Sequence, residues 1–468
     1  MEKHTDNLME TITSLAKRRG FIYQGSEIYG GLAGTWDYGP LGVALKNNIK
    51  DSWRKKFVSS RHDMYEVDAA ILMHPGVWQA SGHVDTFTDP LVECTKCKKR
   101  VRGDHVGGNI NARVPFEYIE LKTKSLKEAA EKFPEWAEQD TWECPDCGTK
   151  NSFIDNPARQ FNMMFSTKIG AVEDSASTVY LRPETAQGIF VNFKNVVDSF
   201  HPKLPFGIAQ IGKAFRNEIT PRDFIFRVRE FEQMEIEYFI RPDDWQKYFE
   251  YFKDEMMEWI DSIGFDMTKV NELEVPKDDL AHYSERTVDF EFEYPFGRKE
   301  LFGLAYRGSF DLNNHKLEYI DEEGGGKITP HVIEPSFGVD RALLALLVSA
   351  YKEDTSGEEV RPYLSFKPHI APVICSVSPL LKNKPELVDK ARIIYGTLKD
   401  EFGRVMWDDN GNIGKRYRRQ DEIGTPWCIV VDFDTLEDDS VTIRDRDTGT
   451  QERIKIVELA SYIKERLS

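Results

Sequence analysis

Arginines and carboxylates alternate with aromatic and aliphatic residues in FRNEITPRDFIFRVREFEQMEIEYF, residues 215–239. Arg216, Arg227 and Arg229 supply cations to this stretch, and Glu235 and Glu237 supply carboxylates. An arginine forms bidentate contacts with phosphate, whereas a carboxylate accepts hydrogen bonds from an ammonium group. Burying such charges is costly unless each one finds a partner. The stretch therefore predicts a site for a ligand that carries both a phosphate and an amine.

The same charges have a structural explanation, which is a ladder of salt bridges across a β-hairpin. Exposed pairs of this kind contribute only about 0.2 to 1 kcal/mol each. This stretch alone leaves both explanations open, so the other charged segments must decide between them.

A further cation that could face an anion is Arg341, in the segment IEPSFGVDRALLALLVSAY. Glu334 and Ser336 are placed at the end of a predicted strand, and Asp340 and Arg341 enter a strongly apolar helix. The helix macrodipole favours anions, not cations, in the first turn. An anion that Arg341 faces explains its position better, and pairing with Asp340 or another acid is the alternative.

Glu184 adds another acidic position, in the segment VYLRPETAQGIF. Pro183 suits the first position of a helix, which places Glu184 in the first turn. There the carboxylate could simply complement the helix N-terminus. If Glu184 instead meets Glu235 and Glu334 in one pocket, the three carboxylates require a cation.

Two Cys-x-x-Cys pairs, CTKC and CPDC, lie near the two ends of residues 93–155. This spacing is typical of the knuckles of a structural zinc site, and the sequence predicts one, with free thiols as the alternative. The four predicted Zn²⁺ ligands are Cys94, Cys97, Cys144 and Cys147. Two neighbouring histidines, His83 and His105, are expected to be ordinary polar residues, with zinc ligands as the alternative.

A basic run stands out because the formal net charge of the chain is -17, which argues against a nucleic-acid partner for the protein as a whole. The four cations of the run GNIGKRYRRQDEIGTP are Lys415, Arg416, Arg418 and Arg419. A run of charge is often only a solvated surface. If these cations instead bind RNA phosphates, the affinity should fall as the salt concentration rises.

A predicted hairpin must position the charges of residues 215–239. A strand over 226–239 would place alternate side chains on one face, namely Arg227, Arg229, Phe231, Gln233, Glu235 and Glu237. The opposite face would carry Val228, Met234, Ile236 and Tyr238, interrupted by Glu230 and Glu232. The preceding GIAQIGKAFRNE predicts a strand with Arg216 and Glu218 on a common face, and ITPRD supplies the turn.

The 468 residues divide by texture into four predicted regions, 1–92, 93–155, 156–365 and 366–468. The second region encloses the helical stretch LKTKSLKEAAEKFPEWAEQD between the cysteine pairs and is predicted to be an insertion. The last region alternates strand-like and helical segments, which is typical of a small α/β domain.

The composition indicates a globular protein, with 40% hydrophobic residues and a mean hydropathy of -0.51. No stretch approaches the roughly 20 uninterrupted apolar residues of a membrane span. The N-terminal segment MEKHTDNLMETITSLAKRRGF has no apolar signal core, so a cytoplasmic location is expected.

Together these segments resemble the motifs of class II aminoacyl-tRNA synthetases. DAAILMHPGVWQASGH is similar to motif one, AFRNE with FRVREFEQME to motif two, and IEPSFGVDR to motif three. More narrowly, GSEIYGGLAGTWDYGPLG, RPETAQGIF, IGKRYRRQDEIGTP and VTIRDRDTG resemble the dimeric glycyl-tRNA synthetases. The resemblance covers nearly the whole chain outside the insertion, and the motifs follow the order of the family.

The resemblance implies an α+β fold: a class II catalytic domain with an antiparallel sheet, the Cys-rich insertion, and a C-terminal α/β anticodon-binding domain. It also implies that Arg216 holds the α-phosphate of ATP and Arg341 the γ-phosphate, with Glu300 completing the site through Mg²⁺. The full set implied for ATP is Arg216, Asn217, Glu218, Phe226, Arg227, Val228, Arg229, Glu230, Phe231, Glu300, Leu301, Gly338, Val339, Asp340 and Arg341.

The set implied for glycine is Arg100, Glu184, Phe231, Glu232, Gln233, Met234, Glu235, Arg307, Glu334, Pro335, Ser336, Phe337 and Gly338. Arg100 is expected to approach from the insertion, although the spacing leaves Arg102 open as well. The basic run would bind the tRNA. Motif one implies a homodimer, because it forms part of the dimer interface in this class.

The implied chemistry needs no covalent nucleophile. The glycine carboxylate attacks the α-phosphorus of ATP to form glycyl-adenylate and pyrophosphate, and a terminal tRNA hydroxyl then attacks the adenylate. Catalysis should come from positioning and charge neutralisation, for which Arg216, Glu218 and Arg341 are the expected catalytic residues.

Two other functions compete with a glycine–tRNA ligase. Prolyl, threonyl and seryl synthetases share the motif architecture, but the segments around Glu184 and Glu334 argue against them. A non-catalytic nucleic-acid-binding paralogue, similar to the accessory subunits of mitochondrial DNA polymerase, should have lost one of Arg216, Glu218 and Arg341. All three are present in this chain.

Overall fold

A computed structural model of the protein describes residues 2–102, 144, 147–150, 159–170, 178–321, 325–355 and 360–467. The helical stretch predicted within the insertion and His105 lie outside the described residues. Among the residues that are described, no helix is both long and apolar enough to cross a membrane.

The helices of the described residues are distributed over both parts of the chain, before and after the central strands. In chain order they are α1 (Glu2–Arg19), α2 (Pro40–Arg54), α3 (Pro75–Ala80), α4 (His83–Thr86), α5 (Ala186–Phe200), α6 (Trp245–Ser262), α7 (Phe310–Asn314), α8 (Val339–Ala350), α9 (Pro385–Phe402), α10 (Ile413–Ile423), α11 (Phe433–Asp438) and α12 (Leu459–Arg466). A short π-helical segment, Lys55–Ser59, extends α2.

The strands of the first 300 residues include the predicted hairpin. They are β1 (Ile22–Gln24), β2 (Trp36–Tyr38), β3 (Met64–Glu66), β4 (Leu72–Met73), β5 (Thr88–Glu93), β6 (Arg100–Arg102), β7 (Arg159–Asn162), β8 (Ser166–Lys168), β9 (Thr178–Leu181), β10 (Phe206–Phe215), β11 (Glu230–Ile240), β12 (Val270–Glu274), β13 (Arg286–Tyr294) and β14 (Gly297–Gly308). The strands that follow are β15 (Tyr319–Asp321), β16 (Gly326–Ile328), β17 (His331–Gly338), β18 (Tyr351–Asp354), β19 (Arg361–Leu364), β20 (Cys375–Pro379), β21 (Val405–Trp407), β22 (Trp427–Val431), β23 (Ser440–Asp445) and β24 (Gln451–Lys455).

A seven-stranded sheet forms the centre of the larger unit, in the order β12-β13-β14-β17-β11-β10-β3. Neighbouring strands are antiparallel except at one edge, where β10 and β3 run parallel. The predicted α+β fold is confirmed. An antiparallel sheet can cover one face with a core and leave part of the other face for a ligand.

The alternation of β11 separates a buried apolar face from a mixed face. Met234, Ile236 and Tyr238 pack into the main core together with residues of α2, α6 and α8. On the other face, Phe239 packs against α5, whose Phe193 ring lies 4.6 Å from it. Helix α5 covers only that end of the strand, so the face that carries Phe231, Gln233 and Glu235 borders a cavity.

The C-terminal unit is a five-stranded sheet in the order β21-β20-β22-β23-β24, with its own apolar core. The first three of these strands are parallel and the last two are antiparallel. Phe366, Ile370, Ala371 and Val373 precede this unit and pack into the core of the larger unit instead. The predicted division after residue 365 stays a prediction, and this packing favours a division after Val373.

Candidate active site

A cavity of about 370 Å³ opens on the mixed face of the central sheet. Its walls come from β11, β14, β17, the segment between β10 and β11, and the start of α8. The predicted site residues that border it are Glu184, Arg216, Glu218, Phe226, Arg227, Val228, Phe231, Gln233, Glu235, Glu300, Leu301, Glu334, Ser336, Gly338, Asp340 and Arg341. The part of the cavity lined by Arg216, Arg227 and Arg341 is called the arginine end, and the part lined by Glu184, Glu235 and Glu334 is called the carboxylate end. Together they offer the groups that a ligand with a phosphate and an amine requires.

The arginine end is organised by aromatic rings and carboxylates. Arg341 Nη1 lies 3.1 Å from Glu300 Oε2, and its guanidinium is 4.5 Å from the centre of the Phe226 ring. The Arg216 guanidinium lies near two rings, 5.5 Å from the centre of Phe87 and 5.3 Å from that of Phe231. Its Nε donates to the Pro183 carbonyl at 3.1 Å. The acid that pairs with Arg341 is therefore Glu300 and not Asp340. The charge of Arg341 lowers the pKa of Glu300.

Asp340 borders the cavity, but its carboxylate is engaged on the protein side. It accepts hydrogen bonds from the Tyr38 hydroxyl, from Lys46 Nζ at 3.2 Å and from the Glu232 backbone nitrogen at 2.7 Å. Burial opposes ionisation of Asp340, yet Lys46 holds its pKa below the ordinary value. This network joins β2 and α2 to the start of α8 and fixes the helix that carries Arg341.

The segment between β10 and β11 corrects the predicted hairpin. A strand over 226–239 is wrong at its start, because β11 begins at Glu230 and β10 ends at Phe215. Asp223 and Phe224 both have a left-handed φ of 59°, in a turn that the pairing of Arg222 with Arg227 closes, so Phe226 lies in this turn and not in a strand. The predicted faces hold only from Glu230 onward, so Arg216, Glu218, Arg227 and Arg229 belong to the connecting segment.

This segment also distinguishes Arg227 from Arg229. Arg227 borders the cavity and its Nε donates to Glu218 Oε2 at 2.6 Å. Arg229 instead binds backbone carbonyls, that of Ala33 at 2.7 Å through Nη1 and that of Glu218 at 3.1 Å through Nη2. Arg229 therefore holds the segment against residues 33 and 34, and Arg227 is the arginine available to a ligand.

The carboxylate end contains the three acids predicted to meet. Glu184 Oε2 lies 3.3 Å from His83 Nε2, so Glu184 does not merely complement a helix. The helix in question, α5, begins two residues later at Ala186, and the predicted start at Pro183 is wrong. Glu235 Oε1 accepts from Ser336 Oγ at 2.8 Å.

Arg307 lies beneath the carboxylate end and is almost fully buried, with 1% of its surface exposed. Its Nη1 donates to Glu334 Oε1 at 2.9 Å, and its Nε donates to Asp311 Oδ2 at 2.7 Å. The Tyr283 ring covers the guanidinium at 3.8 Å. Arg307 thus orients Glu334, although it does not border the cavity itself.

The acids at this end differ in how readily they ionise. Burial opposes ionisation of Glu184, but His83 and Arg307 hold its pKa well below the usual range. Burial and the charge of Glu184 raise the pKa of Glu235, and burial is also the main cause that raises the pKa of Glu334. A bound ammonium group would favour the ionised forms of all three.

Several residues that were predicted to bind glycine do not border the cavity. Glu232 points to the other face of β11 and pairs with Lys46 at 3.1 Å, and Met234 and Phe337 are core residues. These positions follow from the period of two, because each of the three residues neighbours one that does face the cavity. Pro335, between Glu334 and Ser336, is on the far face for the same reason. Arg100 is 65% exposed and pairs with Glu93.

Besides Arg229, three residues predicted to bind ATP do not border the cavity. The Asn217 backbone nitrogen donates to the Met163 carbonyl at 2.7 Å, Glu230 pairs with Lys213 at 2.7 Å, and Val339 is buried in the core. Conversely, His83, Asp311 and Tyr283 were not assigned to the site from the sequence. They are isolated polar residues in loops or short helices, where no periodic pattern marks them.

The two cysteine pairs form a separate cluster. The Sγ atoms of Cys94 and Cys147 are 3.8 Å apart, those of Cys97 and Cys144 are 3.6 Å apart, and all four ligand atoms lie within 4.8 Å of one another. Each pair turns through a residue with left-handed φ, Lys98 and Gly148, at the fifth position of the turn. Zn–S bonds of about 2.3 Å in a tetrahedron place sulfur atoms about 3.8 Å apart. The geometry fits Zn²⁺.

The basic run lies on α10 of the C-terminal unit and is only partly exposed. Lys415 and Arg418 are on the surface, and Arg419 is half-buried and binds Asp408 at 2.6 Å. Arg416 is 3% exposed, and its Nη2 donates to the Gly411 carbonyl at 2.9 Å. Backbone carbonyls occupy this guanidinium, so Lys415 and Arg418 are the cations of the run that face solvent, and a tRNA contact of Arg416 stays a prediction.

Comparisons with known proteins agree with this architecture. The family described as "tRNA synthetase class II core domain (G, H, P, S and T)" matches residues 166–350, and "Anticodon binding domain" matches residues 375–466.

Three similar curated proteins are all named glycine–tRNA ligase. The one from Ruminiclostridium cellulolyticum is 50% identical over 98% of both chains. Those from Lachnoclostridium phytofermentans and Clostridium kluyveri are each 48% identical, over 98% and 99% of this chain and 99% of their own length. The resemblance predicted from the motifs is confirmed. The chain belongs to the glycine–tRNA ligase family of class II aminoacyl-tRNA synthetases.

Proposed function

We propose that this protein activates glycine with ATP and transfers it to the 3′ end of its tRNA. The observation that carries the proposal is that one cavity is lined both by three arginines, Arg216, Arg227 and Arg341, and by three carboxylates, Glu184, Glu235 and Glu334. ATP supplies the anion and the α-amine of glycine supplies the cation. Family membership supports the same reaction.

The residues of the cavity can perform the first step by placement and charge. Arg216 and Arg341 neutralise the phosphates, and the rings of Phe226 and Phe231 limit the directions in which these guanidinium groups can turn. The carboxylate end holds the ammonium, so the glycine carboxylate is left free to attack the α-phosphorus. Preorganised charges of this kind lower a barrier without a covalent enzyme intermediate.

Mg²⁺ is part of the proposal because enzymes usually bind ATP as its magnesium complex. Magnesium is normally bound through one or two carboxylates together with substrate phosphates. Glu300 and Glu218 border the cavity near the arginines and fit that donor set. The ion would neutralise phosphate charge when it is bound there.

The test of the proposed function is ATP–pyrophosphate exchange measured with each of the twenty amino acids. A missing methyl group is worth only about 1 to 3 kcal/mol of attraction, so a glycine enzyme must reject larger substrates by steric exclusion. We expect exchange with glycine and at least about 100-fold less with alanine. Exchange with proline, threonine or serine would favour the other synthetases of this class, and no exchange would favour a binding protein.

We also propose that the cysteine cluster holds structural Zn²⁺. The purified protein should contain about one zinc per chain, and Cys147→Ser should remove most of it, because a three-thiolate site binds the metal far more weakly. Cys428→Ser is the matched control, since Cys428 is a buried thiol of the other unit. Metal analysis decides the question, and a wild-type content well below one zinc per chain contradicts the proposal.

The exposed part of the basic run is proposed to bind tRNA phosphates. Lys415→Ala with Arg418→Ala should raise the tRNA KM for aminoacylation about tenfold and should reduce its salt dependence, because two phosphate contacts are lost. Glycine-dependent exchange should not change, since α10 lies in the C-terminal unit.

The matched control is Lys464→Ala with Arg466→Ala, two exposed cations of α12 in the same unit. An equal loss of exchange and aminoacylation in the test variant contradicts separate roles for the two units.

A homodimer and a cytoplasmic location complete the proposal. The motif one segment contains β4 and α3, where Leu72 exposes 48% of its surface beside the buried Met73. Light scattering should give a mass near twice the 54.0 kDa of one chain, and a mass of one chain contradicts the dimer.

A further inference from the structure

Glu237 is a buried acid of β11 to which the proposed mechanism gives no role. None of its surface is exposed, and neither carboxyl oxygen has a hydrogen-bond partner among the described residues. An ionised carboxylate buried without a partner costs several kcal/mol. The protein must therefore neutralise Glu237 in some other way.

The strand register places Glu237 directly opposite another acid. Because Glu235 pairs with Ser336 and Tyr238 pairs with Ile333 on β17, Glu237 faces Glu334 across the two strands. One ligand atom each of Glu235, Glu237 and Glu334 lies within 4.8 Å of the others. Two carboxylates that face each other in a buried sheet cannot both be ionised, so the pair holds a proton.

The partners on each side show which carboxyl holds this proton. Glu334 receives a hydrogen bond from Arg307 of β14, whereas Glu237 receives none. The residue of β10 opposite Glu237 is the apolar Ile208. The other charged groups that act on Glu237 are Arg307, Glu235 of its own strand and Asp311 of α7.

These surroundings favour a neutral Glu237 and an ionised Glu334. Burial and the charge of Glu334 both raise the pKa of Glu237 well above the ordinary value. Burial raises the pKa of Glu334 as well, but Arg307 opposes this shift with both its charge and a hydrogen bond, whereas only the charge of Arg307 acts on Glu237.

We propose that Glu237 remains protonated in the folded protein. It donates a hydrogen bond beneath the carboxylate end of the cavity and so positions the ionised Glu334. The proposal rests on the proposed function for its substrate, which is the ammonium group of an amino acid. Glu237 is a positioning residue, because it acts through Glu334 and does not border the cavity. The competing explanation of the same three acids is a cation site, which would keep Glu237 ionised.

The pH dependence of unfolding distinguishes these explanations without an activity assay. A protonated Glu237 loses its proton on unfolding above pH 5, since the pKa of an unfolded Glu is about 4.3. Because the pKa of Glu237 is raised in the folded state, its contribution to stability is fully present below the unfolded pKa and is lost as the pH rises toward the folded pKa. Glu237→Gln cannot lose a proton. The urea midpoint of Glu237→Gln should therefore rise relative to wild type between pH 5 and pH 8.

The matched control is Glu437→Gln, an exposed acid of α11, whose midpoint should follow that of wild type at each pH. A midpoint difference for Glu237→Gln that is constant, or that falls as the pH rises, overturns the proposal. If the midpoint of Glu237→Gln relative to wild type falls as the pH rises only after Mg²⁺ is added, the three acids form a cation site instead.

The positioning role is tested by the glycine KM in pyrophosphate exchange. Glu237→Gln keeps a donor, so its glycine KM should stay within about threefold of wild type. Glu237→Leu has no donor and should raise the glycine KM about tenfold or more, with the ATP KM unchanged. A folded Leu variant with a normal glycine KM, or a Gln variant with a tenfold higher one, contradicts positioning.

The two tests separate failure of this inference from failure of the proposed function. If wild type shows no exchange with glycine, the proposed function is wrong, and the unfolding experiment still reports the proton on Glu237. If the Leu variant does not fold, the Gln variant alone decides the positioning role.

Discussion

Arg341→Ala should reduce glycine-dependent pyrophosphate exchange by at least about 10² to 10³-fold, the usual cost of removing one preorganised charge from a transition state. Arg341 is the guanidinium at the start of α8 that faces the cavity, and Glu300 and the Phe226 ring fix its direction. The substitution removes the charge expected at the γ-phosphate. Exchange kinetics at saturating ATP and glycine measure the effect.

The fold should survive this substitution, because 30% of the Arg341 side chain is exposed and its ion pair with Glu300 is not part of the core. Arg298→Ala is the matched control, since Arg298 lies on the same strand as Glu300 and forms an exposed pair with Glu293. Thermal unfolding should be nearly unchanged in both variants. Near-normal exchange in folded Arg341→Ala removes Arg341 from the mechanism.

Arg307→Met should destabilise the protein by about 3 to 5 kcal/mol, because it leaves buried carboxylates without their cation. Asp311 and Glu334 both bind the Arg307 guanidinium within 3.0 Å, and Asp311 is 1% exposed. Methionine keeps much of the volume of the arginine stem, so most of the loss is electrostatic. Urea unfolding at pH 7 measures the difference from wild type.

The loss in Arg307→Met should shrink as the pH falls. The carboxyl groups left beneath the site take up protons in the folded variant, so the folded state binds more protons than the unfolded state. Stability then rises as the pH is lowered from 8 toward 5.

Arg298→Met, which breaks the exposed pair with Glu293, should cost less than about 1 kcal/mol at every pH. A loss of this small size in Arg307→Met would mean that water already solvates Asp311 and Glu334.

The regular part of the fold could be predicted because it follows periodic patterns. The alternation of Phe231, Gln233 and Glu235 against Met234 and Ile236 was visible in the sequence and holds in β11. Where the chain leaves a strand, the pattern does not apply. The left-handed Phe224, three residues before Arg227, packs its ring against Trp36, a contact that no local window contains.

The residue types of the site could be predicted, but their pairing could not. Arg341 pairs with Glu300, 41 positions earlier, and that contact depends on the neighbouring strands β14 and β17. For Arg416 a signal did exist. Arg416, Gln420 and Ile423 are spaced by four and three residues, which places them on the buried face of α10. The charges of the run concealed this helical period.

The segment SFKPHIAPV has a mechanical consequence. Phe366 and Ile370 are core residues of the larger unit, and Ile423 at the end of α10 packs into the same core. The Arg446 side chain also donates to the Phe366 carbonyl at 2.9 Å. A segment with several prolines usually suggests a flexible linker, but this one is packed into the core and connects the two units rigidly. A force applied to α10 by a bound tRNA would reach the catalytic core as strain in packed side chains and not as free rotation.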